Sequence, residues 1–425
     1  MRLICLFVSV MWFSSLLGQI PEPGKPLPPW QPGYLDIHHI NTGRGNAAFF
    51  ILPDGTNLLV DAGELDPTEP RTTSARNTPI RPNNSQHPFE WIADYIRQFS
   101  PQRQKTQIDY ALITHFHDDH FGGWYPGAPA STDGTFFRSG ITGIGDVMTV
   151  HTLLTRDYHY PVEPGSLLVK MPASNHFAKS WTNYMAFIKS ATARGMKNEF
   201  LRAGSATQIH LVYDATRYPT FQVRNLKSNG DIWTGTDSIT KAHFPKIDLD
   251  DPHSWPDENT LSNAILISYG GFRYYTGGDN PGNVFFGDSS WRDTETPMAA
   301  VIGPVDIATM DHHGNRDAVN ETFIKTLQPR VWIEQVWTAD HPGHEVLIRV
   351  MSKRYDGPRD LFATNMMEAN KLVIGPLVDQ AYKSQQGHIL VRVMPDTKTY
   401  YIIILNDTSA VRNVTAVFGP YQVKK

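Results

Sequence analysis

The stretch Thr114-His115-Phe116-His117-Asp118-Asp119-His120-Phe121-Gly122-Gly123 follows directly on the apolar run Tyr110-Ala111-Leu112-Ile113. The run reads as a buried strand, and the Gly-Gly pair after the cluster permits a tight loop. Imidazole and carboxylate are the ligands that divalent zinc, manganese and iron accept. A strand ending in such a loop can therefore aim His115 and His117 at one ion while Asp119 and His120 face a second. The competing reading is a polar loop with surface histidines. These four candidate ligands within six residues, framed by a strand and by glycines, weigh against it.

Strand patterns bracket this cluster. On the amino-terminal side, Leu35 to Ile40 leads through Gly43-Arg44-Gly45-Asn46-Ala47 to the apolar run Ala48 to Leu52. Pro53-Asp54-Gly55-Thr56 is a tight-turn signal, and Asn57-Leu58-Leu59-Val60 returns as a strand ending in Asp61-Ala62-Gly63. Pro88 to Ile96 has helical spacing with proline at its start. On the carboxyl-terminal side, Trp124 to Asp257 is rich in Gly, Pro and aromatics and is expected to be irregular, apart from a helix over Ser180 to Arg194 and the alternating segment Gln208 to Tyr213. It reads as a substrate-shaping insertion, with Trp124, Tyr125, Trp181, Tyr184 and Trp233 as candidate walls.

Regular order is expected again from Glu258 to Ile267, a buried strand, and over Phe272 to Asp279 after the turn at Gly270-Gly271. An aspartate after Gly277-Gly278 at a strand end can approach metal closely, which makes Asp279 the natural carboxylate bridge between two ions. Val305 to Met310 runs into Asp311-His312-His313-Gly314-Asn315, and one or both histidines are candidate ligands. A helix over Ala318 to Leu327, a strand over Val331 to Val336, Asp340-His341-Pro342-Gly343-His344 and a helix from Glu345 to about Lys353 follow. Residues His388 to Val423 alternate as two or three strands.

The first residues bear on the compartment. Met1-Arg2 is a basic start, Leu3 to Leu17 an apolar core, and Leu16-Leu17-Gly18 a small-residue exit, so residues 1–18 are expected to be a signal peptide. At about 15 residues the apolar core is short for a membrane span, and no span is expected after its removal. Secretion or a periplasmic location follows, with 19–33 as a Pro-rich leader. The only cysteine, Cys5, falls in the signal segment, which leaves a mature chain without disulfide, thiol nucleophile or thiolate ligand. Asn-x-Ser/Thr sequons begin at Asn83, Asn320, Asn406 and Asn413 and matter only in a glycosylating host. Hydrophobic residues at 40% indicate a globular chain, and a formal net charge of −4 without a basic stripe argues against strong nucleic-acid affinity.

Five segments in this order, Gly43 to Ala47, Leu59 to Gly63, the histidine cluster, Asn259-x-x-Ser262 through Gly278-Asp279, and His312 to Asn315 with His341-Pro342, resemble the metallo-β-lactamase-fold hydrolases. They are most similar to the extracellular hydrolase domain of bacterial DNA-uptake channel proteins. The resemblance implies an α/β fold, an αββα sandwich with the metals at one edge of its two sheets. The domain would span 34–375 with 124–257 inserted, and a small β segment would occupy 376–425. It implies that Asp61 holds the histidine loop by hydrogen bonds rather than binding metal. It also implies a third histidine on the first metal, for which Asp157, His159 and His151 are the candidates. Of His312 and His313 only one can take the usual ligand position, and the sequence leaves open which.

The expected chemistry is hydrolysis by a metal-held hydroxide, since zinc lowers the pKa of bound water from ~15.7 to about 7. Two Zn²⁺ are expected, with Mn²⁺ or Fe as alternatives, held by His115, His117, Asp119, His120, Asp279 and His312 or His313. Asp119 would orient the hydroxide or take its proton, Asp279 would be shared by both ions, and His341 would donate to the developing negative charge. The preferred substrate bond is a phosphodiester, in a small molecule or a polymer. The alternatives are an ester, lactone or β-lactam, or a metal-binding relic without catalysis.

Overall fold

The computed structural model describes residues 20–101, 105–168, 172, 174–251, 254–285 and 288–424. The expected signal peptide lies outside the described residues. The chain runs first through β1 (Leu35–His39), β2 (Ala48–Ile51), β3 (Asn57–Val60), β4 (Gln107–Leu112), β5 (Thr149–Thr155) and β6 (Lys197–Phe200). It continues through β7 (Phe221–Ser228), β8 (Asp231–Trp233), β9 (Thr240–Ala242), β10 (Ala264–Tyr269), β11 (Phe272–Thr276), β12 (Ile307–Thr309), β13 (Val331–Glu334), β14 (Asp360–Ala363) and β15 (Tyr382–Ser384). It closes with β16 (His388–Val393), β17 (Thr399–Leu405) and β18 (Val414–Gln422).

These strands form two nine-stranded mixed sheets. One has the order β18-β17-β16-β1-β2-β3-β4-β5-β6 and the other β15-β14-β13-β12-β11-β10-β7-β8-β9. Each sheet is antiparallel in one part and parallel in another: β3 to β6 run parallel in the first, and β11 to β15 in the second. Strand alternation sorts the apolar side chains into three layers. Leu58 and Val60 of β3, Ile265 and Ile267 of β10, and Val331 and Ile333 of β13 point between the sheets. Leu59 points outward, where Phe89, Ile92 and Ile96 of the helix Pro88–Phe99 cover it. Leu266 and Trp332 point outward from the second sheet, under Phe323 and Ile324 of the helix Glu321–Leu327. Sheets covered on both faces require continuous apolar runs, which is why the strands beside the histidine cluster show little alternation in sequence. The arrangement is the αββα sandwich that the resemblance implied.

Two expectations are corrected here. The stretch 124–257 is not an excursion from the sandwich: it supplies β5 and β6 to the first sheet and β7, β8 and β9 to the second. Its Gly- and Pro-rich connections hide short strands, whereas Gln208 to Tyr213 is irregular and hangs by Val212 N–H on Thr56 Oγ1 and by Tyr213 N–H on Asp54 Oδ2. The segment 376–425 is divided between the sheets. β15 adds to the second, while β16 pairs antiparallel with β1, from Leu35 against Val393 to His39 against Ile389. Helix limits shift by a few residues. The long helix starts at His176, capped by the Asn175 side chain accepting from Ala178 N–H, and the helix before β13 starts after the cap Asn320. The carboxyl ends of β3, β4, β11, β12 and β13 lead into the loops that carry Asp61, His115 to His120, Asp279, His312 with His313, and His341. The topology thereby gathers the chemically distinctive residues at one edge, where loops off parallel strands build binding sites.

Candidate metal centre

The loop after β4 is stitched in place by backbone hydrogen bonds from neighbouring loops. Asn46 N–H donates to Asp119 O (2.7 Å), Ala62 N–H to His120 O (2.8 Å) and Glu64 N–H to Asp118 O (2.9 Å). Asp61, His312 and His313 all sit in the left-handed backbone region, at φ of 61°, 45° and 54°. For residues other than glycine this costs of order 1–3 kcal/mol each, so the surrounding contacts must over-determine these positions.

Side-chain hydrogen bonds fix the imidazole tautomers. Thr114 Oγ1–H donates to Asp61 Oδ2 (2.9 Å), and His120 Nδ1–H donates to the same oxygen (2.8 Å). Thr114 Oγ1 in turn accepts from His115 Nδ1–H (3.2 Å). Gln335 O accepts from His313 Nδ1–H (3.0 Å), and Asp317 Oδ1 from His312 Nδ1–H (2.6 Å). Each of these four rings has its Nδ1 committed outward, which turns the Nε2 lone pair inward. Exchanging Asp61 for asparagine removes an acceptor shared by two donors. Asp61→Asn is expected to retain the fold while lowering metal affinity by about 10–100-fold, read by competition with a chromogenic chelator.

The inward atoms form two groups that share Asp279. In the first, Asp119 Oδ2 lies 3.0 Å from His313 Nε2, His120 Nε2 lies 3.0 Å from Asp279 Oδ1, and the two Nε2 atoms are 3.3 Å apart. His120 Nε2 is 3.5 Å from Asp119 Oδ2, and His313 Nε2 is 3.6 Å from Asp279 Oδ1. A tetrahedral ion at metal–ligand distances of about 2.0–2.2 Å separates its ligand atoms by about 3.3–3.6 Å, so these four residues fit one. In the second group His115 Nε2 lies 3.1 Å from His117 Nδ1 and 3.7 Å from Asp279 Oδ2. Buried acceptors converging without donors between them are unfavourable unless a cation or protons fill the space. Asp279 Oδ1 is buried without a hydrogen-bond donor.

Electrostatics show the same demand for positive charge. Burial opposes ionisation of Asp119 and Asp279, but His120 and His313 outweigh it and hold both carboxyls below the usual range. Burial also opposes a charged His120, yet Asp279, Asp119 and Asp61 together hold it well above its ordinary value. His312, less enclosed, is pushed up to about 9 against burial by Asp279 and Asp317.

The structure thus gathers His115, His117, Asp119, His120, Asp279 and His313, with Asp61 behind them. The doublet is resolved by side: His313 joins the four-residue group, while His312 Nε2 lies 3.8 Å from the other oxygen of Asp279 and accepts from the Asn259 amide (3.3 Å). The suggested third ligands stand apart. His159 and Asp157 pair with each other, half-exposed, at 2.9 Å, and His151 approaches Gln107 at the amino end of β4, the end opposite His115. His341 is buried and stacks on His313 at 4.6 Å between ring centroids.

Residues to which the sequence reading gave no individual role complete the frame. Glu258 accepts from Phe116 N–H (2.8 Å), between His115 and His117, and is gripped by two hydrogen bonds of 2.7 Å from Arg156. Ser262 Oγ accepts from Asp279 N–H (3.1 Å), and the Asn263 amide donates to Ile113 O (3.0 Å). Burial of Lys227 pushes its ammonium down to about 7 while it donates to the carbonyls of Thr260 and Ser262. A cleft of about 540 Å³ opens over the centre, with Arg71 and Arg76 among its polar lining and Phe116, Phe177, Trp181 and Trp337 among its aromatic lining. Of the five aromatics expected to wall the site only Trp181 does so. Tyr125 and Tyr184 are buried, Trp124 carries Lys179 over its ring, and Trp233 carries Arg224.

No family model matches the chain, and no curated protein matches it. Among solved structures, a protein from Parabacteroides distasonis ATCC 8503 described as a metal-dependent hydrolase aligns with 76% of this chain and 92% of its own, at 11% identity and a TM-score of 0.33. Zn²⁺-bound PqqB from Methylobacterium extorquens aligns over 84% and 99%, at 10% identity and a TM-score of 0.36. The short form of human tRNase Z aligns over 70% and 91%, at 12% identity and a TM-score of 0.28. At these scores the likeness assigns no residue and no reaction to this chain.

Proposed function

We propose that this chain is a metal-dependent hydrolase that holds two divalent ions, zinc by preference, and cleaves phosphodiester bonds. The observation that carries the metal is the convergence of Asp119 Oδ2, His120 Nε2, Asp279 Oδ1 and His313 Nε2 at tetrahedral spacing, with Asp279 Oδ1 buried without a hydrogen-bond donor. His115, His117 and the second oxygen of Asp279 would hold the other ion. Bound there, the metals supply an acidified water and Lewis-acid polarisation of the scissile group.

The chain's own groups do the rest. Arg71 and Arg76 at the cleft suit the non-bridging oxygens of a phosphate, although Arg76 is also 3.3 Å from Asp340, with which the substrate must compete. Phe177 and Trp181, parallel at 6.3 Å, offer an apolar face to the leaving group. Asp119 would orient the attacking water or take its proton. The net charge of −4 favours a small phosphodiester over a nucleic-acid polymer. The same apolar wall would suit an aryl or alkyl ester, the second reading.

Export is proposed on residues 1–18, and an amino terminus that retains Met1 in protein recovered from the host would end that proposal. For the reaction, the mature protein is to be screened against chromogenic phosphodiesters, carboxylic esters and a cephalosporin, with and without chelator. Elemental analysis is expected to approach two ions per chain, and turnover is expected to be fastest on the phosphodiester and lost with chelator. One ion or fewer after metal-replete purification would sink the binuclear centre, and chelator-resistant turnover would sink the metal mechanism. Preference for esters would move the substrate class to the second reading.

A further inference from the structure

The Trp337 indole N–H has as its acceptor His313 Nε2, at 3.3 Å. That nitrogen is the atom His313 turns into the four-residue group, because its Nδ1–H is committed to Gln335 O at 3.0 Å. A neutral imidazole has one lone pair in its plane, and it cannot serve a metal and a hydrogen-bond donor together. Trp337 is also held from several sides. Its carbonyl accepts from Thr78 N–H (3.0 Å), and its ring stands edge-on to His341 at 5.1 Å and 86° and to His313 at 5.8 Å and 84°. The side chain is only partly buried and lines the cleft. When a cation occupies Nε2, the indole N–H remains at the centre with no other acceptor among the described residues, beside the place where an anionic oxygen must sit.

We propose that the Trp337 indole N–H is a substrate-binding donor, which hydrogen-bonds a non-bridging oxygen of the tetrahedral anion held over the metals. The proposal rests on the metal reading above, and it gives the site a directional, uncharged donor on the His313 side that complements Arg71 and Arg76. A donor inside a site sheltered from water contributes more than one in solvent, since the oxygen's charge is less screened there. An indole donates and never accepts, so it discriminates for an anionic oxygen and against a cationic or donor-bearing group in the same place.

The test uses the whole mature protein labelled with ¹⁵N at its indoles, with the Trp337 signal identified by its loss in Trp337→Phe. Zn²⁺ alone is expected to shift that signal and to speed exchange of its proton with water, as His313 Nε2 is withdrawn. Inorganic phosphate added to the Zn²⁺ form is expected to move it again and to slow that exchange. Trp337→Phe keeps a ring against His313 and His341. It is expected to retain the wild-type metal content and melting temperature while losing about tenfold or more in both phosphate affinity and kcat/KM. An indole signal that responds to Zn²⁺ but not to phosphate overturns the proposal and leaves the metal reading intact, as does unchanged phosphate affinity in Trp337→Phe. A protein that takes up no Zn²⁺ by elemental analysis overturns both.

Discussion

Replacing Asp279 by alanine is expected to bring the metal content below one ion per chain and to lower turnover by at least about a thousandfold, about 4 kcal/mol of lost transition-state stabilisation. Both groups of acceptors depend on this one carboxylate. Its Oδ1 faces His120 at 3.0 Å and His313 at 3.6 Å, and its Oδ2 faces His115 at 3.7 Å and His312 at 3.8 Å. Without it one side keeps three protein ligands and the other two, so both groups lose a donor at once, and the negative charge that offsets the ions is removed. Near-ultraviolet circular dichroism checks that the variant is folded, and elemental analysis and kinetics read the result. A folded Asp279→Ala protein that carries two ions and turns over normally would show that the shared carboxylate is elsewhere.

Gly63→Ala is expected to damage the same centre without touching a ligand. A Cβ at Gly63 would lie 2.0 Å from Asp119 O and 2.8 Å from Asn46 N. Ordinary contact needs 3.4 Å or more, so the Asp119 carbonyl must retreat by about 1.4 Å, and a misplacement of even about 1 Å can cost about a hundredfold in rate. Asn46 N–H donates to that same carbonyl (2.7 Å), and Gly63 N–H donates to Asn46 O (2.7 Å). The substitution therefore loosens the stitching of Asp119 and His120 and costs about 1–3 kcal/mol of stability through overpacking. Expected readouts are weaker metal retention, kcat/KM lower by about a hundredfold and a depressed melting temperature. Wild-type metal affinity in Gly63→Ala would mean that the histidine loop moves freely of its neighbours.

The two variants bear on different causes. Asp279→Ala removes a charge that the ions need, whereas Gly63→Ala keeps every ligand and disturbs only where two of them stand. Asp61→Asn belongs with the second, since it leaves the coordinating atoms and loosens the His120 ring together with Thr114, on which the His115 ring rests. If the centre is binuclear, the loss should be deepest for Asp279→Ala and partly recoverable by excess metal for the other two, because mass action can restore a weakened site that still has its ligands.

The local sequence alone determined what depends on neighbours in the chain. A strand followed by H-x-H-x-D-H and two glycines identified the cluster, and the apolar runs around it identified β1 to β4 and β10 to β13 as the frame. Asp279 was legible because a carboxylate at a strand end after two glycines can approach a metal closely, whereas Asp61 stood out through the family resemblance. Tertiary structure decided what depends on distance. His312 and His313 are adjacent and chemically identical in sequence, and they diverge only because left-handed backbone at both positions sends one ring toward Asp119 and the other toward Asp317 and Asn259. Trp337 meets His313 from the loop of the neighbouring strand and Glu258 meets the histidine loop across the sandwich, contacts between residues distant in the chain. The same cause hid the strands of 124–257 and the return of β16 beside β1, whose pairing joins residues more than 300 positions apart. A hydrogen-bond ladder between distant strands leaves no periodicity within either, and strands of three or four residues such as β6, β8 and β9 are too short for alternation to show.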